Sequence, residues 1–110
     1  MWLITDFGFF SVVRKPGESQ LTVRARTRTD LETLRERHLP ALGEILEGAG
    51  TDYQFRARVP VEDLAEAMQG IVQEIDYPNF KNAVTRNQGP KRARIYHEVW
   101  QTLWQINQED

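Results

Sequence analysis

Apolar and polar positions alternate most clearly in "TDYQFRARVP" (residues 51–60). Tyr53, Phe55, Ala57 and Val59 fall on one side of an extended chain, and Gln54, Arg56 and Arg58 on the other, which predicts a strand with one apolar and one basic face. "SQLTVRART" repeats the pattern, with Leu21, Val23 and Ala25 against Thr22, Arg24 and Arg26. The aromatic and β-branched run "FGFFSVVRK" precedes it, and "KPGES" between the two has the Pro-Gly chemistry of a turn. A β-hairpin is expected there.

Helical spacing takes over in "TDLETLRERHLPALGEIL", where Leu31, Leu34, Leu39 and Leu42 recur. Thr29 and Glu32 stand at capping-box separation, and Pro40 predicts that the helix stops or kinks there. A second amphipathic helix is expected over "VEDLAEAMQGIVQEI", with Leu64, Met68, Ile71, Val72 and Ile75 on its buried side. Glu62, Asp63 and Glu66 sit near its start, where the helix dipole favours negative charge. Residues 76–89 fit a loop, a helical turn or a short edge strand. Gly89-Pro90 then opens a further helix to about Asn107. The order β-β-α-β-α-(β or loop)-α predicts an α+β fold, ferredoxin-like or a related two-layer sandwich. Its sheet would have three to four mainly antiparallel strands with helices on one face, and an extra C-terminal helix.

The chain's 110 residues suit one domain spanning 1–110, long enough to bury a core without staples. Cysteine is absent, which removes disulfides, thiolate catalysis and Cys-based zinc sites. The N-terminal apolar run lacks a basic flank and is interrupted by Asp6 and Gly8, so neither a signal peptide nor a membrane span is expected. A cytoplasmic protein without cofactor or metal is the expectation.

Net charge is −2, but its distribution is uneven. Residues 30–76 carry eleven acids and four bases, whereas the rest of the chain carries five acids and ten bases. Two basic groups result. Arg24, Arg26, Arg56 and Arg58 would share the polar sheet face, a candidate for anion or nucleic-acid binding through guanidinium forks. That reading leaves the aromatic platform incomplete, because Tyr53 and Phe55 would point into the core. Lys91, Arg92 and Arg94 occupy the first turns of the last helix, where the dipole disfavours positive charge. Either group can equally be a solvated surface, or one that pairs with acidic helices.

The last helix also carries two apolar stripes: Ile95, Val99, Leu103 and Ile106, and beside them Tyr96, Trp100 and Trp104. Together they span about half the circumference, more than the roughly 100° that one core contact uses. Burial between two elements explains this, as does an interface carried by Tyr96, Trp100 and Trp104. Enzyme signatures are missing: there is no Gly-rich phosphate loop, no G-x-S-x-G and no paired-His metal motif. Of the two histidines, His38 and His97, only His97 has an environment suggesting acid–base work.

"IDYPNFKNAV" and "GPKRARIYHEVWQTLWQI", with the N-terminal "FGFFSVV", resemble the signature of a family of small uncharacterised bacterial proteins. The resemblance implies a bacterial origin and a single-domain boundary, and carries no activity onto any residue. The expectation is a non-enzymatic module that self-associates, as a homodimer. A binder of nucleic acid, a phosphate ligand or an acidic protein is the alternative, and an enzyme using His97 the third reading.

Overall fold

In the computed structural model, residues 1–48 and 52–109 are described, and the chain divides into two compact units, Met1–Asp76 and Tyr77–Asp110. The first is an α+β unit. Its elements are β1 (Trp2–Thr5), β2 (Gly8–Val13), β3 (Gln20–Ala25), α1 (Arg28–Arg37), β4 (Leu46–Glu47), β5 (Phe55–Pro60) and α2 (Val61–Gln73). The strands form one antiparallel sheet in the order β1-β2-β3-β5-β4. Five strands stand where the residue pattern marks three or four. The extra ones are β1, split from β2 by a turn at Asp6-Phe7, and the two-residue β4. The element order β-β-β-α-β-β-α also departs from the β-α-β-β-α-β of a ferredoxin-like fold.

The turn before β2 is held by Thr5, whose hydroxyl donates to the Gly8 carbonyl (2.8 Å) and accepts from the Gly8 N–H (3.0 Å). Such local side-chain bonds let a short polar residue set the chain reversal. Register then decides the faces. Val23 opposes Ala57, and Leu21 opposes Val59, on the side that meets the helices. Phe10, Val12, Val23, Ala57 and Val59 from the sheet pack with Leu31, Leu34, Leu39, Leu42, Leu64 and Ala67. Each such large side chain removed from water contributes about 1.5–3 kcal/mol.

Helix α1 is capped by Thr27, whose hydroxyl accepts from the Asp30 N–H at 3.2 Å. Thr29 is therefore not the cap: the helix starts a residue before it, because Thr27 is the residue that stays extended. Asp30 is buried, and its carboxylate accepts from the Phe9 N–H at 3.0 Å, tying α1 to β2. The helix ends at Arg37, ahead of Pro40 as its sequence requires. The segment that follows crosses β5 so closely that the Gly43 N–H donates to the Arg58 carbonyl (2.8 Å). A Cβ at Gly43 would stand 3.0 Å from that oxygen. On α2, Leu64 and Ala67 are buried and Met68 and Ile71 partly so. Val72 and Ile75 are 59% and 54% exposed and do not belong to its buried side.

The second unit is an αα-hairpin. The segment open to three readings contains a helix, α3 (Phe80–Gln88), with Asn79 as its cap; the Asn79 side chain accepts from the Asn82 N–H at 2.9 Å. Gly89, at φ 93°, links it to α4 (Pro90–Leu103), which passes into a 3₁₀ turn over Trp104–Gln108. That positive φ suits glycine, which alone adopts it without Cβ strain. Phe80 stacks on Tyr96 with centroids 6.1 Å apart and planes 5° apart, and Lys81 Nζ lies 3.0 Å from His97 Nδ1. The first residues of α3 thus lie beside the middle of α4.

Candidate functional site

Three places gather chemistry-bearing side chains, two in the first unit and one in the second. On the sheet side turned away from the core, Arg24 and Arg56 are directly opposed across β3 and β5, and Thr22 opposes Arg58. The sheet thus brings Arg24, Arg56 and Arg58 to one face, as period-two alternation predicts. Arg58, however, is ion-paired with Glu18 at 2.9 Å. Arg24 donates to the Ser11 hydroxyl at 2.7 Å, while its Nε is buried with no hydrogen-bond partner among the described residues.

Tyr53 is the correction on this face. Strand β5 begins at Phe55, so Tyr53 precedes the strand and is not bound by its alternation. Its ring lies on the arginine side, 4.7 Å from the guanidinium carbon of Arg24 and 5.0 Å from that of Arg26. Phe9 adjoins it at 6.2 Å, and Trp2 meets Phe9 edge-on at 5.8 Å. A run of three aromatic rings, Trp2, Phe9 and Tyr53, therefore accompanies the guanidiniums. Cation–π contact of this kind contributes about 0.5–1 kcal/mol at exposed sites and more when desolvated. The missed signal was positional: alternation can be read only inside a strand, and Tyr53 stands two residues before β5 begins.

The second place is a cleft of about 400 Å³ between the end of α1 and one side of α2, lined by Arg37, His38, Pro40, Asp63, Gly70 and Glu74 among others. The His38 side chain is 4% exposed, its Nε2 lies 3.4 Å from the Glu74 carboxylate, and its ring packs 5.1 Å from Phe7. An imidazole oriented by a carboxylate can move a proton. Sequence reading passed His38 over, since only the fold brings Glu74 to it. Among the described residues no group of three His, Asp or Glu side chains is placed to hold a metal ion.

In the second unit the proposed site residues separate. Lys91 and Arg94 are exposed on the first turns of α4. Arg92 folds back onto Tyr96, its Nη1 3.4 Å from the phenol oxygen. Tyr96 is buried at 7% exposure, so the stripe Tyr96–Trp100–Trp104 does not present one continuous surface. Beyond His97, α4 runs past the start of α3, and this overhang carries Trp100 (55% exposed), Leu103 (51%), Trp104 (57%) and Ile106 (56%). Trp100 and Trp104 touch each other, with centroids 5.6 Å apart. His97, the acid–base candidate, stacks on Trp100 at 5.5 Å and is approached by a lysine, with no carboxylate contact among the described residues. That arrangement gives it no orienting base.

Among the described residues no helix is long and apolar enough to cross a membrane. No family model, curated protein or solved structure matches the chain.

Proposed function

We propose that this protein is a non-enzymatic interaction module that self-associates through the overhang of α4. The observation that carries the reading is the exposure of Trp100, Leu103, Trp104 and Ile106 together on one helix end. Soluble monomers scatter single apolar residues over their surfaces, but adjacent exposed tryptophans with aliphatic neighbours mark a contact site. Tryptophan is also the residue most enriched among interface anchors. A contact confined to one helix end belongs with the small class of interfaces, under the roughly 1,200 Å² of standard ones, so a weak association in the micromolar range is what the reading expects.

Sedimentation equilibrium from about 1 to 500 μM tests the reading, a range set by that affinity class. A monomer–dimer equilibrium is expected. Trp104→Glu should raise its dissociation constant by at least about 30-fold, the equivalent of a hot spot of about 2 kcal/mol. A chain that stays monomeric throughout sinks the reading.

One observation favours a second reading. Tyr53 joins Phe9 and Trp2 beside Arg24 and Arg26, so bases and phosphates of a single strand would find rings and forks together. Fluorescence anisotropy with oligo-U and oligo-dT at 20 mM salt tests it. Binding must fall steeply with salt and drop with Arg26→Ala; absence of binding at low salt ends it.

A further inference from the structure

The cleft between the end of α1 and α2 plays no part in self-association, yet its walls are unusual. Its α2 wall is one side of the helix, where Asp63, Glu66, Gly70 and Glu74 recur three or four residues apart. Three of these four are acids, and among the described residues neither Asp63 nor Glu66 has an ion-pair partner. The facing wall is the C-terminal end of α1, where the helix dipole places partial negative charge. Arg37 on that wall lies over the Phe7 ring, 5.0 Å from its centroid.

An acidic stripe alone is a solvated surface; His38 sets this one apart. Its side chain is 4% exposed, and Nε2 faces the Glu74 carboxylate at 3.4 Å. That contact fixes the orientation of the ring and, in the neutral imidazole, favours the proton on Nε2. The lone pair of Nδ1 then has no donor among the described residues. Nδ1 is turned towards α2 at Gly70, where a Cβ would stand 3.9 Å from it. That is an ordinary contact distance, so alanine would fit, and glycine is by far the poorer residue inside a helix. Packing does not account for Gly70, whereas an open approach to Nδ1 does.

The geometry points to this cleft as a binding site for an ammonium group, carried by a small free amine or by a lysine side chain. An ammonium N–H donates to Nδ1, in the field of Glu66 one turn earlier on α2 and of the α1 terminus. Asp63, a further turn away, and Glu74, behind the ring, add negative charge. An anion would meet those carboxylates as like charges, and for a divalent metal ion the described residues supply no group of three ligands. The volume of about 400 Å³ is at the small end of ligand pockets and suits one aliphatic amine chain. Acid opposes the contact, because a proton on Nδ1 removes the acceptor and adds a like charge. Arg37, Asp63, Glu66 and Glu74 are the other charged side chains of the lining.

Titrating the full chain with n-butylamine or with N-acetyl-lysine methylamide, and following the imidazole nitrogen signals by NMR, tests the site; His97→Gln assigns the two rings. A saturable shift of His38 Nδ1 is expected in the millimolar range, and none with n-butyrate. Affinity at about pH 5.5 should be at least about tenfold below that at about pH 8, the range in which histidine takes up its proton. Gly70→Ala, which should fold at least as well, should weaken binding about tenfold or more by covering Nδ1, the scale of one hydrogen bond to a charged group. Glu66→Gln should weaken it about threefold, as for one exposed charge. If neither amine moves the His38 signals, or if Gly70→Ala leaves the shift and its affinity unchanged, the proposal is overturned. Tighter binding of the blocked lysine than of n-butylamine supports it with a protein side chain as the ligand, and the reverse order supports it with a free amine.

Discussion

The arginine-bearing face of the sheet and the overhang of α4 are both surfaces that break the rule of apolar inside and charged outside, but they break it differently. On the sheet, most of the offending groups find one another: Tyr53 and Phe9 take guanidiniums, Ser11 takes one arm of Arg24 but not its buried Nε, and Glu18 takes Arg58. On α4, among the described rings, Trp100 stacks on His97 and meets Trp104, and more than half of each tryptophan remains exposed. Composition therefore misleads about which surface is in need of a partner. The sheet face is richer in residues typical of binding sites, yet much of its binding capacity is already used within the first unit. The overhang is a consequence of length, since α4 and its 3₁₀ extension outrun the nine-residue α3.

The largest effect that can break this comparison is on stability. Phe10 is 1% exposed, and Phe10→Ala should lower the unfolding free energy by about 3–5 kcal/mol in urea titration. Trp100→Ala, measured at a concentration too low for association, should change it by less than about 0.5 kcal/mol, as for an exposed surface site. If the two variants lose comparable stability, the overhang belongs to the folded core of its own chain and the contrast fails.

A smaller effect tests the sheet side. Tyr53→Ala removes a ring 7% exposed that carries two guanidiniums, and about 2 kcal/mol of stability should go with it. Tyr53→Phe keeps the ring and should recover more than half of that loss. Equal losses in both variants would assign the role of Tyr53 to its hydroxyl and not to its contact with the arginines.

The alternation of β3 and β5 and the leucines of α1 were legible because each pattern reports burial over several residues, and local averages survive small errors of boundary. Tyr53 was not, because alternation holds only inside a strand and Tyr53 lies two residues before one. The start of α1 was misread by two residues because Thr27 and Thr29 offer the same hydroxyl, and only the backbone decides which stays extended. Val72 and Ile75 fit the apolar stripe of α2 by spacing, but Val72 stands in its last turn and Ile75 beyond it, since the helix ends at Gln73. The His38–Glu74 pair joins residues 36 positions apart, a proximity that no periodicity encodes. Trp100 and Trp104 were legible as a wide apolar arc; their exposure depended on where α3 begins, inside the segment whose sequence suited loop, turn or strand alike.

Caps give an effect of intermediate size. Thr27→Ala should destabilise the chain by about 1 kcal/mol, whereas Thr29→Ala, exposed and inside the helix, should be near neutral by the same urea titration. The reverse ranking would restore the capping box at Thr29 and move the start of α1.

The smallest predicted effect bears most directly on whether the sheet face retains any capacity to bind. The Arg58–Glu18 pair is short at 2.9 Å, but the two side chains are 60% and 28% exposed. Water and salt screen such a pair, and its entropy of ordering offsets most of the Coulomb gain. A double-mutant cycle of Arg58→Ala and Glu18→Ala should therefore return a coupling below about 1 kcal/mol, shrinking further in 0.5 M salt. A coupling that small leaves Arg58 able to exchange Glu18 for a phosphate oxygen at little cost, so the sheet face would keep one adaptable fork beside Arg24 and Tyr53. A coupling above about 2 kcal/mol would mean that the pair is fixed, and Arg58 would drop out of any anion-binding set.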